Sequence, residues 1–266
     1  MIRSVRTSAL YAAGAVSVAY ALWPIVRLAA DAPPGAIAEA WRQPELLQAA
    51  ATSLASAAIA TALSVVLGVP AAFLLVMSRF PGKWLLETLL LLPLVLPPIV
   101  GGVALMDVFG PYTAIGSFAA AHHLPLTLSM AGIVLSQWYV TSPFLVFTSR
   151  AGFAEVPREL YEAFRLEGAD GWTAFWRLYV PLATGSILTG AALTFARALG
   201  EFGATMLMAY HPYSLPVYIW VQFTAGGVAS MVPIASGIVL ALAVGVTVVR
   251  LVGSRVVRRR WRHVRE

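Results

Sequence analysis

Long apolar runs without charge, each about the length of a bilayer crossing, constrain this chain more than any single residue does. Roughly 20 apolar residues cross the hydrocarbon as a helix, and a helix satisfies its own backbone there. Of the 266 residues, 59% are hydrophobic and only 11% charged, against about 25% charged in soluble domains. The length accommodates about six spans with their loops. The pattern places them near residues 8–30, 47–77, 84–106, 126–147, 182–208 and 232–252. The expected fold is an all-α membrane protein with six transmembrane helices, the whole of 1–266 forming a single integral-membrane domain. A cleaved signal peptide competes for the first span, because Ala30-Asp31-Ala32 has the small residues of a cleavage site. The apolar run exceeds the ~7–15 residues of a signal core, which favours an uncleaved helix.

Several function classes are excluded by what the chain lacks. Without cysteine there is neither a disulfide framework nor a thiolate metal site. His122 and His123 are adjacent but have no further ligands nearby, so they read as loop residues and no metal is expected. No G-x-x-x-x-G-K-[ST] loop, H-E-x-x-H motif or nucleophile–base constellation is present, so this chain is not expected to be an enzyme, to hydrolyse ATP or to hold a cofactor. The net charge of +6 admits nucleic acid, but the basic residues lie beside the apolar spans, so topology accounts for them and no nucleic-acid partner is expected.

Individual spans carry further information. The second is rich in small residues from Ala50 to Ala60, which let helices approach closely in lipid; Gly68 and Pro70 are placed to bend it. The third contains Pro93, Pro97 and Pro98 followed by Gly101-Gly102. Freed carbonyls at such prolines are tolerable only against protein or a water-filled cavity; a kinked packing helix and a broken pore-lining helix fit the residues equally. In the fifth, Arg197 and Glu201 stand four apart and can meet on one helix face. Gly200 and Gly203 flank Glu201 and would let a symmetry mate approach. Residues 209–230 read as a charge-free aromatic loop at the interface, and 253–266 as a basic tail.

Between the fourth and fifth spans lies the most charged internal segment, residues 155–181. Charge keeps it out of the hydrocarbon. Val156, Leu160, Ala163 and Phe164 recur at helical spacing as one apolar stripe. Pro157 suits the first turn, Gly168 the residue past the end, and Asp170 the cap of a second helix running toward Pro181. A helix lying on the lipid surface is one reading of such a stripe.

A pattern within it points elsewhere. Glu162, Ala163 and Phe164 are followed by three residues and Gly168; after nine more come Leu178, Tyr179, Val180 and Pro181. This resembles the coupling loop of permease subunits of ABC importers, E-A-A, three residues, G, nine residues, I-x-L-P. Phe164 departs from the usual second alanine. The resemblance implies that Glu162, Ala163, Phe164, Gly168, Leu178, Val180 and Pro181 form a cytoplasmic two-helix loop that docks in a groove of a separate ATPase. It also implies that ATP and magnesium are used by that partner, that an extracytoplasmic binding protein delivers substrate, and that a second permease copy completes the pathway. The run from Ala196 to Thr205, with Ala209-Tyr210-His211-Pro212 and Leu215-Pro216-Val217-Tyr218, resembles molybdate and tungstate permeases, with sulfate permeases as near relatives. The resemblance covers about residues 47–250 and implies import of an oxyanion, molybdate or tungstate, with sulfate, thiosulfate or another small solute as the alternative. It makes the third span a broken pore-lining helix and implies that Pro97, Pro98, Arg197, Gly200, Glu201 and Gly203 shape a pathway or gate. A secondary transporter would be expected to show repeated halves or several intramembrane ionisable groups, and neither is seen.

Charge orients the chain. Of its 18 Lys and Arg, only Arg27 and Arg42 fall in the loops opposite the termini, and Arg197 lies within a span. The positive-inside rule therefore places both termini and the 155–181 loop in the cytoplasm of an inner or plasma membrane, with the tail on the lipid surface. That is also the side on which an ATPase would be met.

Overall fold

The computed structural model describes the backbone of residues 2–262 and the side chains of 10–247 except Val246. The charged side chains expected to anchor the tail lie outside the described residues. Among the described residues every regular element is helical. In order they are α1 (Ile2–Asp31), α2 (Pro34–Ala40) and α3 (Pro44–Leu63), which passes through a π turn (Ser64–Gly68) into α4 (Val69–Met77). Then come α5 (Lys83–Val95), α6 (Pro98–Phe109), α7 (Ala114–Ala121) and α8 (Met130–Ala154). They are followed by α9 (Arg158–Leu166), and by α10 (Gly171–Ala174), which a π turn (Phe175–Tyr179) joins to α11 (Val180–Leu182). The last are α12 (Thr184–Leu199), α13 (Gly203–Met208) and α14 (Leu215–Arg262).

Four described helices are long and apolar enough to cross a membrane: Leu10–Asp31, Pro44–Met77, Met130–Ala154 and Leu215–Gly245. Two bent pairs bring the number to six if each is one span, α5 with α6 at 114° and α10–α11 with α12 at 76°. The first bend shows that the third span is broken and not merely kinked. Pro97 and Pro98 cannot donate to the preceding turn, Leu96 is extended (φ −64°, ψ 140°), and the helix breaks. The π turn in the second span falls at Gly68, beside the expected bend.

Three expectations are corrected. The fourth span begins later, at Met130, because the Ser129 hydroxyl accepts from the Gly132 N–H and caps it. The fifth is not one helix from 182 to 208: it breaks between Leu199 and Gly203. The aromatic loop is confined to 209–214, and residues 215–230 are already helical, with an interruption at Gly227 (φ 67°, ψ −160°).

The chain forms two compact units, one from its two ends (through Leu47, and from Ile219) and one from Gln48–Tyr218. In the first, the Ser236 hydroxyl donates to the Leu28 carbonyl at 2.6 Å, and Gly237 admits the Trp41 indole where a methyl would collide. Leu10, Tyr11, Tyr20 and Trp23 of α1 are exposed, as a lipid-facing helix requires.

The second unit is built around α8, which buries Ile133, Gln137, Thr141, Leu145 and Phe153. Its neighbours approach through small residues. A Cβ at Gly68 would lie 3.2 Å from Val146, and one at Gly152 would lie 2.5 Å from the Ser186 Cβ. The Thr194 hydroxyl reaches the Thr141 carbonyl at 3.3 Å, joining α12 to α8. Such close packing replaces the hydrophobic driving force that lipid cannot supply between helices. Arg150 on α8 pairs with Glu87 on α5 at 3.0 Å, an interhelical ion pair that the sequence reading did not single out.

Candidate functional site

Two regions of the second unit carry the sequence-derived site residues. The first is the 155–181 loop. Pro157 precedes α9 as its N-cap residue, and Gly168 follows it with φ 85°. The Gly168 N–H bonds the Arg165 carbonyl at 3.1 Å and the Ala169 N–H bonds the Phe164 carbonyl at 3.0 Å, the paired bonds of a Schellman ending. Asp170 then caps the next helix, its carboxylate accepting from the Thr173 N–H at 2.8 Å. Hydrogen bonds from Thr173 hold the Asp170 carboxyl below the usual carboxylate range. A depressed carboxyl stabilises the fold above its unfolded pKa, and that contribution is lost as pH falls through the lower folded value. Exchange protection of the Thr173 amide should therefore fall on acidification below pH 4, while Asp170→Asn, which keeps the cap but does not titrate, should show no such step.

The expected single apolar stripe is two faces. Val156, Tyr161 and Phe164 turn inward onto a core of Phe153, Phe175, Leu178 and Tyr179. Phe73 of α4 stands 5.0 Å from the Phe175 ring and 5.1 Å from Tyr179, so the aromatic cluster fastens the loop to its own helices. Outward, Leu160 and Leu166 are exposed, as is Ala163 between them. Glu162 pairs with Arg158 at 2.8 Å on the exposed side. Glu162, Ala163, Gly168 and Pro181 are thus at the surface, Phe164 and Val180 half-buried, and Leu178 buried. Leu160 stood in the stripe but was not a site candidate, and Leu166 was missed, because periodicity alone does not say which of two apolar faces is covered.

The second region lies where the two broken helices meet. A Cβ on Gly102 of α6 would sit 2.9 Å from the Ala204 Cα of α13, and one on Gly203 would sit 2.9 Å from the Ile99 nitrogen and 3.0 Å from the Pro98 Cβ. Gly203 is therefore packed within the chain, against Pro98 and Ile99. Gly200 is exposed, and a Cβ there would approach only the Arg197 carbonyl, at 3.9 Å.

Arg197 and Glu201 do meet, at 2.8 Å, but not as two residues of one helix. Arg197 is in the last turn of α12, and Glu201 lies past its end. The other carboxylate oxygen of Glu201 accepts from the Ala204 N–H at 3.0 Å, in the first turn of α13. A cation thus stands at a helix C-terminus and an anion at the next N-terminus, both favourable to the helix dipoles, and the pair splints the break. The side-chain amide of Gln137, fully buried on α8, has no hydrogen-bond partner among the described residues. Beside the pair is a cavity of about 370 Å³ lined by residues 93–98, Val140, Phe144 and Arg197. Among the described residues no cluster could hold a metal ion.

Comparison with known proteins places this architecture. The family of binding-protein-dependent transport system inner membrane components matches residues 64–263. A probable molybdenum ABC transporter permease of Haloferax volcanii is 41% identical over 230 residues, 86% of this chain and 84% of that protein. A molybdate/tungstate transport system permease of Thermococcus kodakarensis is 32% identical, over 77% of this chain and 78% of its own. A probable sulfate transport permease of Anthoceros angustus is 36% identical over 63% of this chain and 58% of its own. The crystal structure of a bacterial ABC transporter involved in import of the acidic polysaccharide alginate has a chain of the same fold, with a TM-score of 0.62 at 18% identity over 95% of this chain and 97% of its own. Membership of such a family implies a multi-pass place in the inner membrane and partners that bind substrate and hydrolyse ATP. The matched family segment takes in α4 to α14, hence the charged loop and both broken helices, and the chain belongs to the family of binding-protein-dependent transport system inner membrane components.

Proposed function

We propose that this chain is the membrane subunit through which an ABC importer admits a tetrahedral oxyanion, molybdate or tungstate. The observation that carries the substrate class is the 41% identity, over most of both chains, to a protein named as a molybdenum permease. The sulfate permease covers a smaller share of this chain, which makes sulfate the second reading. Moving a dianion into a negative cell costs about 4–5 kcal/mol per 100 mV, so an external energy source is needed. In this reading the chain is not itself an enzyme: ATP and magnesium are bound by separate ATPase subunits, a binding protein outside delivers the anion, and two copies of the chain enclose the pathway.

The exposed strip Leu160, Ala163 and Leu166 on α9 suits a groove on the ATPase. Glu162, Phe164, Gly168, Leu178, Val180 and Pro181 hold that strip at its angle. Pro97, Pro98, Arg197, Gly200, Glu201 and Gly203, at the two helix breaks, form the gate. The test is reconstitution of the chain with the ATPase and binding protein encoded beside it, followed by uptake of labelled molybdate, tungstate and sulfate. Uptake of none of the three would overturn the reading. Orientation is tested separately, since the chain has no native cysteine. Ala114→Cys should react with an impermeant thiol reagent outside intact cells, and Ala154→Cys, at the exposed end of α8, should not; the reverse pattern would put the loop on the wrong side for an ATPase.

A further inference from the structure

We propose that Arg197 is the residue that contacts the passing oxyanion, and that Glu201 is a positioning residue which holds it toward the cavity without facing the anion itself. The proposal rests on reading this region as part of the translocation pathway. It starts from an asymmetry within the ion pair: the Glu201 side chain has no exposed surface, while that of Arg197 is 33% exposed. One carboxylate oxygen of Glu201 accepts from the Ala204 N–H at 3.0 Å; the other is ion-paired with the Arg197 guanidinium at 2.8 Å, without the geometry of a hydrogen bond. The negative charge is thus enclosed in protein, and the positive one lines the cavity of about 370 Å³.

The rest of that cavity carries no charge. Its other lining residues are apolar: prolines and aliphatic residues of 93–98, with Val140 and Phe144. The C-terminal end of α5 and the N-terminal end of α6 both reach it. Their partial charges are of opposite sign, so the guanidinium decides the sign of the site. Arginine has five N–H donors in a planar fork. One nitrogen is engaged by Glu201, which leaves donors for the edge of a tetrahedral oxyanion. The buried carboxylate also weakens the attraction, as a pathway requires: a transported ion must enter and then leave. An isolated arginine here would trap a dianion, and an exposed carboxylate would repel it.

The absence of cysteine allows a chemical test in the complete reconstituted importer. Removing a charge-assisted contact should lower uptake roughly tenfold or more. Arg197→Cys is therefore expected to lower molybdate or tungstate uptake by about that factor, while binding protein and ATPase still assemble. Modification with an aminoethyl methanethiosulfonate, which restores a positive charge, should recover much of the uptake; the neutral methyl and anionic sulfonatoethyl reagents should not. Millimolar molybdate should slow the modification. A merely structural pair predicts instead that charge at position 197 is irrelevant once Glu201 is neutralised, so Arg197→Gln with Glu201→Gln would transport normally. If Arg197→Cys does not assemble, Arg197→Lys is compared with the double variant Arg197→Gln with Glu201→Gln: the lysine keeps a cation at the cavity beside Glu201 and should retain several times the uptake of the neutral double variant. Native uptake by Arg197→Cys, equal rescue by all three reagents, or an Arg197→Lys loss as large as that of the neutral double variant would overturn the proposal. Each leaves the importer reading standing, because the native chain's own uptake is measured alongside.

Discussion

Gly168→Val is expected to leave the protein inserted and assembled while abolishing coupled uptake. The reason is backbone conformation and not space. Gly168 has φ 85°, and a Cβ there would meet nothing within 4 Å. A left-handed conformation costs an ordinary L-residue about 1–2 kcal/mol, and a β-branched one more. That is small beside the roughly 5–15 kcal/mol that holds a fold together, so the membrane core should survive. It is large for a short surface helix. The Schellman bonds to the Arg165 and Phe164 carbonyls depend on that φ, and with them the angle at which Leu160, Ala163 and Leu166 face outward. ATPase stimulation by loaded binding protein and labelled uptake should fall together in proteoliposomes, with native permease content. Gly168→Asn, whose side chain tolerates the left-handed region, should lose less. Fully coupled uptake by the valine variant would remove the glycine from the coupling machinery.

Gly203→Val should fail at an earlier stage, in folding. The added Cβ would lie 2.9 Å from the Ile99 nitrogen, 3.0 Å from the Pro98 Cβ and 3.2 Å from the Pro98 carbonyl carbon. Two of those three atoms are backbone, and Pro98 is held rigid by its own ring, so nothing nearby can rotate away. The cost should lie at or above the top of the roughly 1–3 kcal/mol typical of overpacking. Gly200→Val is the paired control: it has φ −94° and open space beside it. Thermal inactivation and recovery of detergent-soluble protein should drop sharply for the first variant and little for the second. Comparable loss from both would mean that Gly200 is packed against another molecule, as a symmetry mate would require.

The sequence by itself determined whatever follows from solvent and local backbone chemistry. Apolar runs too long for a soluble core made the chain a helical membrane protein. A proline, a glycine and an aspartate at the right spacing determined how the 155–181 loop turns, and Gly168 has the positive φ and Asp170 the cap that those residue types dictate. The spacing from Glu162 to Pro181 marked the family that the comparisons bear out. Tertiary structure alone decided what depends on which surface meets which. Helical periodicity put Val156, Leu160, Ala163 and Phe164 on one stripe; packing against Phe153, Phe175 and Tyr179 turned Phe164 inward and left Leu160 outside. The four-residue spacing of Arg197 and Glu201 marked a pair, but the pair forms across a helix break that no local signal located. It took the enclosure of Glu201 beside Ala204, and the opening of Arg197 onto the proline-lined cavity, to set the sign of charge an ion would meet there. Charge in a sequence is only a count; packing decides which member of an ion pair stands within hydrogen-bonding reach of an ion.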